Sequence, residues 1–522
     1  MVLAAAASIA ALGACGGGDE DDAGPAALVP ADAPAYVELA VQPEGEAADD
    51  AEAALGRVTG SDDPGADLAA LFERATDGPP GGFEDQIEPW LGERLGVYPS
   101  SLAGDTEAVL VIETTDPEEA EEAFADETER EEEYQGHTFR IEADGDVVTL
   151  IDDFLVFGPP AGLRQVVDVA EGGDALGDSD TYTDAVDDLP DDRLATLFAL
   201  PRTFLEAIPD REIDAQGRDI ILEAMGEAAD EPFLGDLTAS EEQVTLELSA
   251  GGGAVETTES DLLGQVPSDS WVAVALADIG AAVQNGTEQT ENAGIPGLDA
   301  EMLRRQVRSE TGIDLEREVI GALGDGAAFL QGTSADSLGG AVVVESTDPD
   351  ASAELIGKVQ DLIAREVPEL EIEPLASTGG DQGFRVTLPG GGVDVSVGEP
   401  GEPGSVGIAP SPSQPVTVIQ RDERIVIGYG GEALNQALSA DGVEPLDQTD
   451  LFRRAREAAG ELEIDAFAAI APLRRVAESL GLGEDPGYSQ VKPYLGALDF
   501  LSVAAGAEGD RGIVQFTLGL AE

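Results

Sequence analysis

The sequence predicts an α+β fold made of two homologous halves, each a mostly antiparallel sheet with helices packed on one face. Three observations lead there. Blocks of residues recur in the same order along the 522-residue chain. The recurring blocks are short β-branched or aromatic runs separated by turn residues, and strands joined by short turns pair antiparallel. Helix-start signals follow those runs at matching places.

The repeats run as follows. Leu28-Val29-Pro30-Ala31-Asp32 recurs as Gln265-Val266-Pro267-Ser268-Asp269, each ahead of an apolar strand, Tyr36 to Val41 and Trp271 to Ala277. The apolar run from Ala108 to Thr115, ending in Asp116-Pro117, recurs from Ala341 to Thr347, ending in Asp348-Pro349. Each Asp reads as a helix N-cap, with Pro at the first helical position, where its missing N–H costs nothing. An acidic helix is expected from Glu118 to Glu133, with Ala120, Ala123 and Phe124 as its apolar stripe.

A meander follows. Thr138 to Glu142 and Val147 to Ile151 flank the hairpin signal Asp144-Gly145, and Asp152-Asp153 turns into Phe154 to Phe157. Gln135-Gly136 with Phe139-Arg140 is matched by Gln382-Gly383-Phe384-Arg385, and Leu155 to Gly158 by Ile425 to Gly428. Val148 to Ile151 is matched by Val416 to Ile419, and Phe233-Leu234-Gly235 by Tyr494-Leu495-Gly496. Each half is then read with a helix (Leu163 to Val169; Ala433 to Leu438), a strand (Ala195 to Leu200; Asp465 to Ile470), more helix, and a closing strand (Gln243 to Ser249; Ile513 to Gly519). The domain reading is 28–251 and 264–522, joined near Gly251-Gly252-Gly253. A loop insertion at 389–415 is rich in Gly, Pro and Ser.

The N-terminus carries a different signal. Cys15, the chain's one cysteine, ends Leu12-Gly13-Ala14-Cys15 after the short apolar run Val2 to Ala11. That pattern is similar to a bacterial lipobox, in which residues 1–15 hold the signal peptide and the cysteine takes the lipid. A run this short is processed and does not remain as a membrane helix. No Lys or Arg precedes it, which a start upstream of Met1 would explain. Residues 16–27 are expected to form a flexible acidic linker. The implied address is extracytoplasmic, with the membrane as a partner through the lipid on Cys15.

The charge is extreme: 108 acidic residues against 26 basic ones, a formal net charge of −82. Only Lys358 and Lys492 are lysines. Nucleic-acid binding rests on Lys and Arg neutralising phosphates, so no nucleic-acid partner is expected. Acids spread over the whole chain, with lysine depleted, are read as adaptation to high salt, where charge repulsion is screened. The competing reading is a cation sponge.

Catalytic signals are weak. His137, the one histidine, is read as a surface turn residue. With one histidine and no thiol left after lipidation, the usual zinc ligand sets are excluded. Ser489-Gln490-Val491-Lys492 fits Ser-x-x-Lys, but the Ser-Asp-Asn and Lys-Thr-Gly partners are absent. Gly357-Lys358 lacks the rest of a Walker loop, Gly324-Asp325-Gly326 does not continue into a dinucleotide fingerprint, and Asp144-Gly145-Asp146 lacks the spaced ligands of an EF-hand. No catalytic, cofactor or metal residue is assigned.

The Val-Pro-x-Asp opening, the strand ending in Thr-x-Asp-Pro and the Gln-Gly-x-Phe-Arg block together resemble an uncharacterised envelope family, domain of unknown function 3352, found mainly in actinobacteria. The resemblance implies an envelope location and no established reaction. The expectation is a non-catalytic lipoprotein that binds an unknown envelope protein or ligand between its halves. The alternative is an envelope hydrolase using paired carboxylates.

Overall fold

The structure, a computed structural model, describes residues 24–43, 45–60, 86–103, 107–124, 128–142, 145–251, 262–292, 300–334, 337–375, 381–387, 415–439 and 443–521. Cys15, the leader, residues 16–23, Asp144 and nearly all of the 389–415 insertion lie outside the described residues. The chain divides into two compact units, one of Met1–Val255 with Gly506–Glu522 and one of Glu256–Ala505.

In the first unit the strands are β1 (Ala35–Ala40), β2 (Leu91–Ser101), β3 (Glu107–Thr114), β4 (Arg130–Tyr134), β5 (His137–Ile141), β6 (Val147–Ile151), β7 (Phe154–Gly158), β8 (Ala195–Ala199), β9 (Phe233–Ala239) and β10 (Gln243–Ala250). They lie in the order β4-β5-β6-β7-β3-β2-β1-β8-β9-β10, every pair antiparallel. The second unit holds β11 (Ser270–Leu276), β12 (Leu323–Gln331), β13 (Gly339–Ser346), β14 (Glu371–Pro374), β15 (Gln382–Thr387), β16 (Val416–Arg421), β17 (Arg424–Tyr429), β18 (Glu463–Ala469) and most of β19 (Leu498–Glu508), up to Ala505. Their order is β14-β15-β16-β17-β13-β12-β11-β18-β19, again all antiparallel. Strand for strand this is the first order again, each number raised by ten. β20 (Arg511–Leu520), last in the second repeat by sequence, lies in the first unit and pairs along β10 from Gln243↔Gly519 to Ala250↔Gly512.

The α+β plan thus holds, and its helices repeat too. Helix Pro160–Ala170 covers one face through Leu163, Val166 and Val167, packed with Val109, Val111 and Val156. Its counterpart, Gly431–Leu438, does so through Ala433 and Ala437, packed with Ala341 and Val343. Alternate residues of the same strands serve the opposite face. There Leu110 and Ile112 meet Ala120 of helix Pro117–Ala123, and Val342 and Val344 meet Ile356 of helix Pro349–Glu366. β3 and β13 are covered on both faces, which is why they read as continuous apolar runs.

Local chemistry sets the joints. Asp116 accepts from Glu119 N at 3.1 Å, and Asp348 from Ala351 N at 3.1 Å, each with Pro at the start of its helix. Gln135 and Gly136 both take positive φ between β4 and β5, as a tight hairpin turn requires. Asp152 and Asp422, at φ 49° and 52°, occupy the same turn of the two units.

Several expectations are corrected. Helix Pro117–Ala123 is short, and Arg130–Tyr134 is a strand, not the end of an acidic helix. At a sheet edge, glutamates face water as readily as on a helix. Phe139 and Phe384 are not equivalent: Phe139 packs with Leu163, Phe384 with Ile356, on opposite faces. A one-residue slip in register turns a strand over. Tyr494-Leu495 ends helix Pro486–Leu495, whereas Phe233-Leu234-Gly235 opens β9, so that match also fails. Residues 24–27 are not linker: Gly24–Leu28 is a 3-10 helix, and Ala26 is fully buried. Gly96 makes room for it, since a Cβ there would lie 2.7 Å from Pro25 Cβ.

Candidate functional site

Each unit has a cleft at the same place in its fold. The Val-Pro opening of each repeat is pinned by a single bridge, Pro30↔Ala175 in one and Pro267↔Pro445 in the other. The β1–β2 and β11–β12 ladders place the start of β1 or β11 beside the end of β2 or β12. The first cleft, about 530 Å³, lies between Asp32, Ser100 and Ser101 and the helix residues Gln165 and Asp168. The second, about 430 Å³, lies between Asp269, Ser270 and Trp271, Gln331 and Thr333 of the β12 end, and Glu432 and Arg475 from helices.

The two clefts differ in how their polar groups are satisfied. In the first, Tyr98 Oη donates to Gly162 O at 3.3 Å, Ser100 Oγ to Glu107 O at 3.1 Å, and Asp168 accepts from Tyr134 Oη at 2.9 Å. In the second, Ser270 stands opposite Gln331 in the ladder, and the register shifts between Ser270 and Val272, leaving Trp271 as the extra residue of a bulge. Ser270 Oγ, Trp271 Nε1 and Gln331 Oε1 are buried and have no hydrogen-bond partner among the described residues. Each such group costs about 1–3 kcal/mol. β-Bulges recur beside functional sites. Counting from Pro30 and Pro267, Ser270 and Trp271 correspond to Ala33 and Pro34, and the matching β1–β2 and β11–β12 ladders put Ser100 where Gln331 stands.

The residues singled out in sequence are held in local roles. His137 Nε2 lies 3.3 Å from Glu171 Oε1 at the start of β5. Ser489 Oγ donates to Asp485 O at 3.0 Å, within its own helix, and Lys492 pairs with Glu478 at 3.1 Å. That lysine and the Tyr488 hydroxyl hold the Glu478 carboxyl below its ordinary range. Lys358 pairs with Glu318, which is 1% exposed. Asp325 accepts from Asp278 N at 2.8 Å, tying β12 to the turn ahead of helix Ile279–Asn292. Among the described residues, no group of three or more His, Cys, Asp or Glu is placed to hold a metal ion.

Residues 1–461 match a family described as "Protein of unknown function (DUF3352)". The chain belongs to that family. The motifs that suggested DUF3352 are structural ones: the pinned Val-Pro segment and the two Asp-Pro caps. No curated protein matches this DUF3352 chain. Among solved structures it is similar to TP0453 in crystal form I, at 11% identity over 47% of this chain and 83% of that one, with a TM-score of 0.24. Crystal form III of TP0453 gives 11% identity and a TM-score of 0.25, over 46% and 82%. A likeness at this level carries no functional conclusion. Among the described residues of the DUF3352 chain, no helix is long and apolar enough to cross a membrane.

One carboxylate pair stands out in the DUF3352 fold. Asp236 on β9 lies directly opposite Glu247 on β10. Burial, with the nearby Glu247 charge, pushes Asp236 up to about 6. Burial also raises Glu247, against a hydrogen bond from Gln515. Neither residue lines either cleft.

Proposed function

We propose that this DUF3352 chain is a non-catalytic binding or scaffolding protein, anchored outside the cytoplasm by a lipid on Cys15 and adapted to high salt. One observation carries the binding reading: each unit has a cleft at the same place in its fold, about 530 and 430 Å³, within the usual small-molecule range of roughly 300–1,000 Å³.

A hydrolase working through paired carboxylates has one observation in its favour, the Asp236–Glu247 pair with both carboxyls raised. That pair sits within the ladder of β9 and β10, away from the clefts, which favours binding over turnover. A screen with peptide, ester, glycoside and phosphate substrates at molar salt tests this directly. No turnover is expected; turnover abolished by Asp236→Asn or Glu247→Gln would overturn the binding reading. Mass spectrometry of membrane-extracted protein tests the anchor, which an unmodified Cys15 on secreted protein would overturn. Co-purification from those membranes would report a protein partner.

A further inference from the structure

An antiparallel sheet with one face toward water normally turns polar side chains outward on that face. The second unit's sheet departs from this. Its inward residues Ala273, Ala327, Phe329, Ala341 and Phe467 are at most 5% exposed. On the other face, one cross-strand row runs Ile427, Val342, Ala328, Val274, Ala466 and Val503 over six strands. A second row runs beside it, Leu330, Val272, Ala468 and Leu501. Val274, Ile427 and Leu501 are 36%, 40% and 41% exposed, and none of the others is buried. Neither row holds a polar side chain. Helix Pro349–Glu366 lies along one side of them, where Val344, two residues from Val342, is 6% exposed beside Ile356. The first unit fills the matching place from within. Val97, which stands between Val37 and Leu110 as Ala328 stands between Val274 and Val342, is 6% exposed and packs in one cluster with Trp90. Trp90 O accepts from Thr115 N as Ala322 O does from Thr347 N, so alanines stand at both places in the second unit. What its open face lacks is apolar bulk.

Strands about 4.8 Å apart make the longer row about 24 Å, and residues two apart along a strand are about 7 Å apart. With margins for the side chains the patch is roughly 350 Å², a size that often marks a functional surface. It is less than half the ~800 Å² per partner of a stable protein interface. A second copy would also bring another charge of −82 against this one. A sugar, a peptide backbone or a charged headgroup would find no side-chain donor or acceptor on either row. A long, narrow, uncharged chain meets all of these conditions. We infer that this face holds one aliphatic chain, the acyl group of an uncharged lipid, laid along the row from Ile427 to Val503. None of these residues lines either cleft, so the inference goes beyond the binding reading above and stands or falls apart from it.

The test uses the full chain at molar salt, carrying Cys15→Ser so that no lipid of its own competes. Nile red, an uncharged fluorophore, is bound and then displaced by 1-octanoyl-, 1-lauroyl- and 1-palmitoylglycerol below their micelle concentrations, with free glycerol as control. Saturable displacement is expected, at least tenfold tighter for palmitoyl than for octanoyl, with none by glycerol. Val274→Lys, near the centre of the row, should weaken palmitoylglycerol binding at least tenfold. Val274→Thr, which keeps the branched shape, should weaken it at least threefold. Val274 is more than a third exposed, so both variants should fold, as circular dichroism checks. Val491→Lys, at a 48% exposed apolar site on helix Pro486–Leu495, should change nothing. Equal affinity in the parent chain and both Val274 variants, or no saturable displacement, would overturn the inference. A dimer in sedimentation that Val274→Lys splits would give the face to a second copy and overturn it too. Saturation by an amphipathic Leu/Lys peptide, with none by the acylglycerols, would give the face to a partner helix with the same result.

Discussion

Asp236 and Glu247 face each other across β9 and β10, two acids directly opposite in one ladder. Like charges in that position destabilise a sheet. Burial and Glu247 push Asp236 from its ordinary 3.8 to about 6. The folded protein therefore holds this proton more tightly than the unfolded chain does. The resulting stability is full below pH 4 and is lost as pH rises from about 4 to about 6. At pH 7 the ionised group works against folding by up to about 3 kcal/mol. Asp236→Asn should raise the melting temperature at pH 7, and the gain should vanish near pH 4. Equal effects at both pH values, by calorimetry at fixed salt, would show that the pair titrates normally.

The helix caps make a second prediction. Asp116→Ala and Asp348→Ala should each cost about 1 kcal/mol. The two share no hydrogen-bond partner, so the double variant should cost about the sum. Denaturant midpoints at molar salt read this out. A cost near zero at Asp348, which starts an 18-residue helix, would mean the cap is not formed in solution.

How much of this was legible in the sequence follows from where the signals sit. Asp116-Pro117 and Asp348-Pro349 were readable because a cap is a local device, complete within four residues. The runs of β3 and β13 were readable because both faces are buried. β2 was not read as a strand: Gly92, Glu93, Arg94, Gly96 and Pro99 break its alternation, and its place comes from pairing with β1 and β3. The slip between Phe139 and Phe384 arose because a short identical block fixes neither register nor face. The buried helix Gly24–Leu28 was hidden behind a Gly-rich, acidic stretch. The second cleft was beyond reach, because Ser270 and Gln331 are 61 positions apart in sequence and meet only through the β11–β12 register.

A third prediction concerns Lys358, one of two lysines in the chain. It pairs with Glu318, whose other carboxylate oxygen accepts from Asp314 N at 3.0 Å. Glu318 is buried and Lys358 is about a third exposed, so removing the lysine strands a buried charge. Lys358→Met should cost about 3 kcal/mol, the lower end for a broken buried pair. Adding Glu318→Gln should recover most of it, since the stranded charge goes with it. If the double variant is as unstable as the single one, the pair's value lies in packing and not in charge.

The fourth prediction is salt dependence, and it separates the two readings of the −82 charge. Both lysines are already paired with glutamates, and β4 presents Glu131, Glu132 and Glu133 in a row at a sheet edge, all exposed, with Arg140 and Arg130 reaching only the first two. With 26 basic residues against 108 acidic ones, most surface acids have no internal cation to balance them, and self-repulsion opposes the compact state. Screening length falls from about 10 Å at 0.1 M salt to about 3 Å at 1 M. The melting temperature should therefore climb steeply between those concentrations and then flatten. Sodium and potassium chloride should act alike, because screening depends on ionic strength and not on ion identity. A cation sponge would behave differently: a small amount of calcium, at constant ionic strength, would reproduce the whole gain. Scanning melting temperature against sodium chloride, and against calcium at fixed ionic strength, distinguishes them. A flat sodium curve with a saturable calcium response would overturn salt adaptation and assign the acids to specific cation binding.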